Sequence, residues 1–121
     1  MLTEIGGTES LARTLDEAMK FLQNHAVTWH HWLLILSLLD RGGTSTKAEI
    51  LSVYKKEGFS PYVIEQLLKT DLKDLGDALR IEGDLDNLTD ETVIRLARDP
   101  TFMRFIKKQR KSALRNLKVS D

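Results

Sequence analysis

Apolar residues recur at helical spacing along most of this chain. Leu11, Leu15, Met19, Leu22 and Ala26 advance by threes and fours, as one face of a helix does, and Thr8 stands where its cap belongs. A second helix is expected from Thr28 through WHHWLLILSLL to Arg41-Gly42-Gly43, where glycine supplies the stop. Thr46 and Glu49 have the spacing of a capping box, so a third helix begins at Lys47. Ile50, Leu51 and Tyr54 give it an apolar side, and Gly58 closes it. Ser60-Pro61 then reads as an N-cap with proline at the first helical position, followed by Val63, Ile64, Leu67 and Leu68.

The pattern is weaker beyond residue 70. Leu72, Leu75 and Leu79 keep helical spacing with Asp71 as a fresh N-cap, although Gly76 costs about 1 kcal/mol inside a helix. Residues 80–88 read either as a turn or as a short β-ribbon. Thr89 is expected to cap a short helix through Val93, Ile94 and Leu96, which Asp99-Pro100 ends while opening the last one. The fold expected is all-α, a compact single-domain bundle of six or seven short helices over residues 1–121.

The run from Trp29 to Leu39 is apolar on nearly every side of a helix, so it belongs at the centre of the core or under a second chain. Its 11 residues fall short of the roughly 20 that span a bilayer. Trp29 and Trp32 lie on one edge of it and are the expected subunit contact of a homodimer. His30 and His31 point about 100° apart on a helix, and no H-E-x-x-H or Cys/His spacing accompanies them, so no metal site is expected.

Composition narrows the chemistry. There is no cysteine, which removes disulfides, thiolate metal sites and cysteine nucleophiles and suits a cytoplasmic protein. The first residues carry acids and no apolar core of a secretory signal. No G-x-S-x-G, P-loop or G-x-G-x-x-G is present, and DLDNLTDE lacks the glycine and terminal glutamate spacing of a calcium loop. The expectation is a protein without enzymatic activity and without a cofactor.

Charge changes the picture more. The formal net charge is zero, yet residues 71–91 hold eight acids and two bases, while residues 102–118 hold seven bases and no acid. On a helix, Phe102, Met103, Phe105, Ile106, Ala113, Leu114 and Leu117 gather on one side of the last segment. Arg104, Lys107, Lys108, Lys111, Arg115 and Lys118 gather opposite, a stripe suited to phosphates. It suits equally the acidic segment of the same chain or of a neighbour.

Residues 29–69 have the order of a helix-turn-helix unit, one bracing helix, one crossing the phosphate backbone and one entering the major groove. Tyr62, Gln66 and Lys69 would then face the bases, beside an unfavourable Glu65, while Lys47, Lys55 and Lys56 would meet phosphates. The function expected is a small, dimeric, cytoplasmic DNA-binding regulator of transcription that uses this unit and the basic C-terminal helix. The alternative is a protein–protein interaction module, an adaptor or inhibitor, that docks through the acidic 71–91 segment and the basic helix.

Overall fold

In the computed structural model of the chain, residues 13–24, 28–83 and 87–119 are described, with side chains as far as Arg115. They form five helices and a three-stranded antiparallel sheet. In chain order these are α1 (Leu15–Leu22), α2 (Trp29–Asp40), β1 (Thr44–Thr46), α3 (Lys47–Lys56), α4 (Pro61–Leu75), a 3₁₀ turn (Gly76–Ala78), β2 (Leu79–Ile81), β3 (Val93–Leu96) and α5 (Pro100–Val119).

Local chemistry sets most helix ends where the sequence places them. Thr46 Oγ1 accepts the Glu49 amide at 3.3 Å, and the Glu49 carboxylate accepts the Thr46 amide at 3.0 Å, closing the expected capping box of α3. Ser60 caps α4 and Asp99 caps α5, its carboxylate accepting the Phe102 amide at 3.0 Å. Gly42 and Gly43, both at positive φ, close α2 as the Gly43 amide reaches back to the Leu38 carbonyl at 2.7 Å. The first described helix is capped by Thr14 with Glu17. Thr8, Leu11 and Ala26 lie outside the described residues.

α2 is the core helix. His31, Trp32, Leu34, Ile35, Leu36 and Leu38 are all buried. Around it close Leu22 of α1, Ile50 and Tyr54 of α3, Ile64, Leu68 and Leu75 of α4, Ile94 of β3, and Phe102 and Ile106 of α5. Trp32 has no exposed surface, and its indole N–H donates to the Leu22 carbonyl at 3.0 Å.

The all-α expectation is overturned by the sheet. Val93-Ile94-Arg95-Leu96 alternates, with Ile94 and Leu96 buried and Arg95 exposed, which is the period of a strand and not of a helix. Leu79-Arg80-Ile81 repeats the alternation, and the two strands pair antiparallel with Arg80 opposite Arg95 and Ile81 opposite Ile94. β3 is the central strand, and β1 pairs along its other edge with Thr44 opposite Arg95. Of residues 80–88, Arg80 and Ile81 belong to the strand paired with β3, Glu82 and Gly83 form a bend, and residues 84–86 lie outside the described set. Thr89 caps no helix; its amide donates to Thr92 Oγ1 at 2.9 Å in the turn that enters β3.

Asp71 likewise begins nothing, because α4 runs unbroken from Pro61 to Leu75. The break falls at Gly76, at φ 47°, where the backbone of Arg13 comes so close that a Cβ would overlap it. The Asp77 amide donates to the Arg13 carbonyl at 2.9 Å across that contact. Glycine is required there by conformation and by space.

Candidate nucleic-acid interface

α2, α3 and α4 pack on one another in the order expected of residues 29–69, and the β2–β3 ribbon follows the third helix after one 3₁₀ turn. The outward face of α4 carries Tyr62, Gln66, Thr70 and Lys73, all exposed, with Lys69 half-buried beside them. Tyr62 is 78% exposed, the largest value among the big apolar side chains described. Lys55 and Lys56 stand exposed in the last turn of α3.

Lys47 has a different role from the one expected of it. Its side chain is buried and its ammonium lies 2.9 Å from Glu65 Oε1. It therefore has no surface for a phosphate, and the same pair neutralises the one acid expected to repel DNA from the start of α4. The structure places the two tryptophans expected at a subunit contact differently. Trp32 is wholly interior, while Trp29 is half-buried and stacked on Phe59, with ring centroids 5.8 Å apart and planes at 17°.

On α5, Phe102, Ile106 and Ala113 are buried and Met103 and Phe105 partly so, whereas Leu114 is 39% exposed. Leu117 and Lys118 carry no described side chains. Arg104, Lys107, Lys108, Lys111 and Arg115 are exposed, and among the described residues none of the five makes an ion pair. Arg110 pairs with Asp40 at the end of α2 at 3.1 Å. The stripe is thus not paired with the 71–91 segment among these residues. α5 packs mainly on α1 and α2, so the stripe and the α4 face are held by different contacts.

Several acids of residues 71–91 are turned to internal use. Asp71 is buried, Asp74 lies 3.0 Å from His31 Nε2, and Glu82 accepts from Arg95 Nε at 2.8 Å.

The sheet contributes basic residues that the helical reading passed over. Arg80 and Arg95 stand side by side on its exposed face, and Arg98 follows just after β3. These three arginines and Thr44 line a hollow of about 290 Å³. It adjoins another of about 370 Å³, where Arg98 and Lys107 meet Leu39, Gly42 and Met103. Arg98 is steadied by donating to the Gly42 carbonyl at 3.3 Å. A cluster of guanidinium groups around a hollow suits planar or tetrahedral oxyanions.

Behind α4 lies a buried polar cluster that ties it to α2 and α3. Tyr54 donates its hydroxyl to Asp71 Oδ2 at 2.6 Å. Asp71 Oδ1 lies 2.8 Å from His30 Nδ1 and 3.4 Å from His31 Nε2. Burial holds the His31 imidazole below its ordinary range, opposed by the charge of Asp71 and the contact with Asp74. Burial, then the Asp71 charge, pushes the Tyr54 hydroxyl well above the usual phenol range.

Comparison with family models, with curated proteins and with solved structures returned no match. Among the described residues no helix is long and apolar enough to cross a membrane.

Proposed function

We propose that this chain is a small, non-enzymatic DNA-binding regulator of transcription that acts in the cytoplasm. It presents α4 to the major groove and uses the flanking basic surfaces on the phosphate backbone. The observation that carries this reading is the order α2–β1–α3–α4–β2–β3, which matches the order of a helix-turn-helix unit followed, after one 3₁₀ turn, by a β-ribbon. Gln66 has the donor and acceptor needed for adenine, and Lys69 and Lys73 reach guanine or phosphate. Arg80, Arg98 and Lys107 supply further phosphate contacts, and Arg104, Lys108, Lys111 and Arg115 extend them along α5. Two copies would present two such units to a symmetric site, since one unit reads few bases alone.

The test is fluorescence anisotropy of a labelled duplex titrated with the full chain at several salt concentrations. Binding whose log affinity falls linearly with log salt supports the reading, and sedimentation of the complex gives the number of copies bound.

A protein-docking role is favoured by one specific feature, the exposure of Tyr62 and Val63 together in the first turn of α4. In that role the pair would insert into an apolar pocket of a partner, and the anisotropy titration would show no duplex binding.

A further inference from the structure

Where the first turn of α2 meets the second half of α4, three buried donor atoms converge. One ring nitrogen each of His30 and His31 and one carboxylate oxygen of Asp71 lie within 4.8 Å of one another. The two rings, expected to diverge on the helix, have centroids only 4.2 Å apart and planes tilted by 33°. Both lean toward the same carboxylate oxygen of α4.

Asp71 has no exposed surface, so each of its oxygens requires a partner. Tyr54 satisfies Oδ2. Oδ1 is 2.8 Å from His30 Nδ1, yet neither atom has a hydrogen bond, because the contact is short without being aligned. A short, misaligned nitrogen–oxygen contact between buried atoms is what two ligands make when both point at a third centre beside them. An ion about 2.0–2.2 Å from imidazole nitrogen and carboxylate oxygen sets tetrahedral neighbours roughly 3.3–3.6 Å apart, which is the 3.4 Å separation of Asp71 Oδ1 from His31 Nε2, and His30 Nδ1 needs to draw back only slightly to join them.

We propose that His30, His31 and Asp71 bind a divalent transition-metal ion of the zinc class. Two imidazoles and one carboxylate match the donors that zinc takes, whereas magnesium and calcium prefer oxygen alone. Asp74 Oδ2, 3.0 Å from His31 Nε2, borders the second histidine. The Tyr54 hydroxyl on Asp71 Oδ2 is the outer contact that fixes a ligating carboxylate. The bound ion would clamp α2 to α4. The site depends on nothing in the DNA reading.

The experiment uses the full, tag-free chain after treatment with a chelator. Zinc is titrated while uptake and melting temperature are followed, and cobalt is added separately as a visible reporter of four-coordinate geometry. The expected result is one ion per chain, a raised melting temperature at saturating metal, and a tetrahedral cobalt spectrum. Asp71→Asn removes a ligand oxygen, and His30→Ala, at a partly exposed position, serves if that variant fails to fold. His30→Ala should weaken uptake by about tenfold or more. A wild-type chain that takes up no stoichiometric metal would overturn the proposal. So would uptake and a cobalt spectrum unchanged in folded His30→Ala.

Discussion

Lys47 and Glu65 form an ion pair at 2.9 Å that joins the first turn of α3 to the first half of α4, with the ammonium buried and the carboxylate about half exposed. The pair fixes how the second and third helices of the unit sit against each other. It also takes one base and one acid out of any encounter with DNA.

Removing one partner should therefore cost more than removing both. Glu65→Ala leaves a buried ammonium without its acceptor and should lower stability by about 1–3 kcal/mol in urea unfolding. Adding Lys47→Met should restore part of that loss. A double variant no more stable than Glu65→Ala alone would show that the pair is not coupled.

Tyr54→Phe tests the cluster behind α4. The substitution leaves Asp71 Oδ2 buried without a donor and should destabilise the chain by about 1–3 kcal/mol with little change of volume. Thermal or urea unfolding within about 0.5 kcal/mol of wild type would show that the carboxylate finds another partner, since that is the range of neutral substitutions.

Gly76→Ala meets two penalties together, a positive φ and overlap with the Arg13 backbone. The expected loss exceeds about 1 kcal/mol, larger than for Gly58→Ala, where nothing lies near the new methyl. Equal effects at the two glycines would mean that the Arg13 contact is not made in solution.

The capping box of α3 gives a pH dependence. The Thr46 amide, then the hydroxyls of Ser45 and Thr46, hold the Glu49 carboxyl below its ordinary value of 4.5. A lowered folded value means that the unfolded chain takes up the proton first. The contribution is complete above about pH 4.5 and is lost as pH falls through the folded value. Glu49→Gln should flatten this part of the stability curve between pH 6 and 3, scanned by urea unfolding, and leave the neutral region nearly parallel to wild type. An unchanged acid limb would contradict the assignment.

The helices were legible because their signals are local. Thr46 with Glu49, Ser60 with Pro61 and the Gly42-Gly43 stop each act within a few residues, and the structure uses all three as read. The sheet was not, because its strands have only three or four residues and lie among leucines that also fit a helix. A signal was nevertheless present. Leu79-Arg80-Ile81 and Ile94-Arg95-Leu96 are two apolar–basic–apolar triplets, separated by a stretch containing Gly83 and Asn87, as in a hairpin. Reading that alternation would also have revealed the basic sheet face. The pairing of Lys47 with Glu65 and the meeting of His30 with Asp71 join residues far apart in sequence, and no local pattern announces them.

The central claim, that the α4 face and the flanking basic surfaces engage duplex DNA, is tested most directly by salt-dependent anisotropy. Wild type should be compared with Lys107→Gln/Lys108→Gln/Lys111→Gln and with Gln66→Ala. The account predicts a linear log–log salt dependence for wild type. The slope should fall by roughly 0.9 for each phosphate contact that the triple variant removes, across all sequences alike. Gln66→Ala should leave the slope unchanged and relax base preference. No binding at about 50 mM salt, where counterion release favours basic surfaces most, would contradict the account.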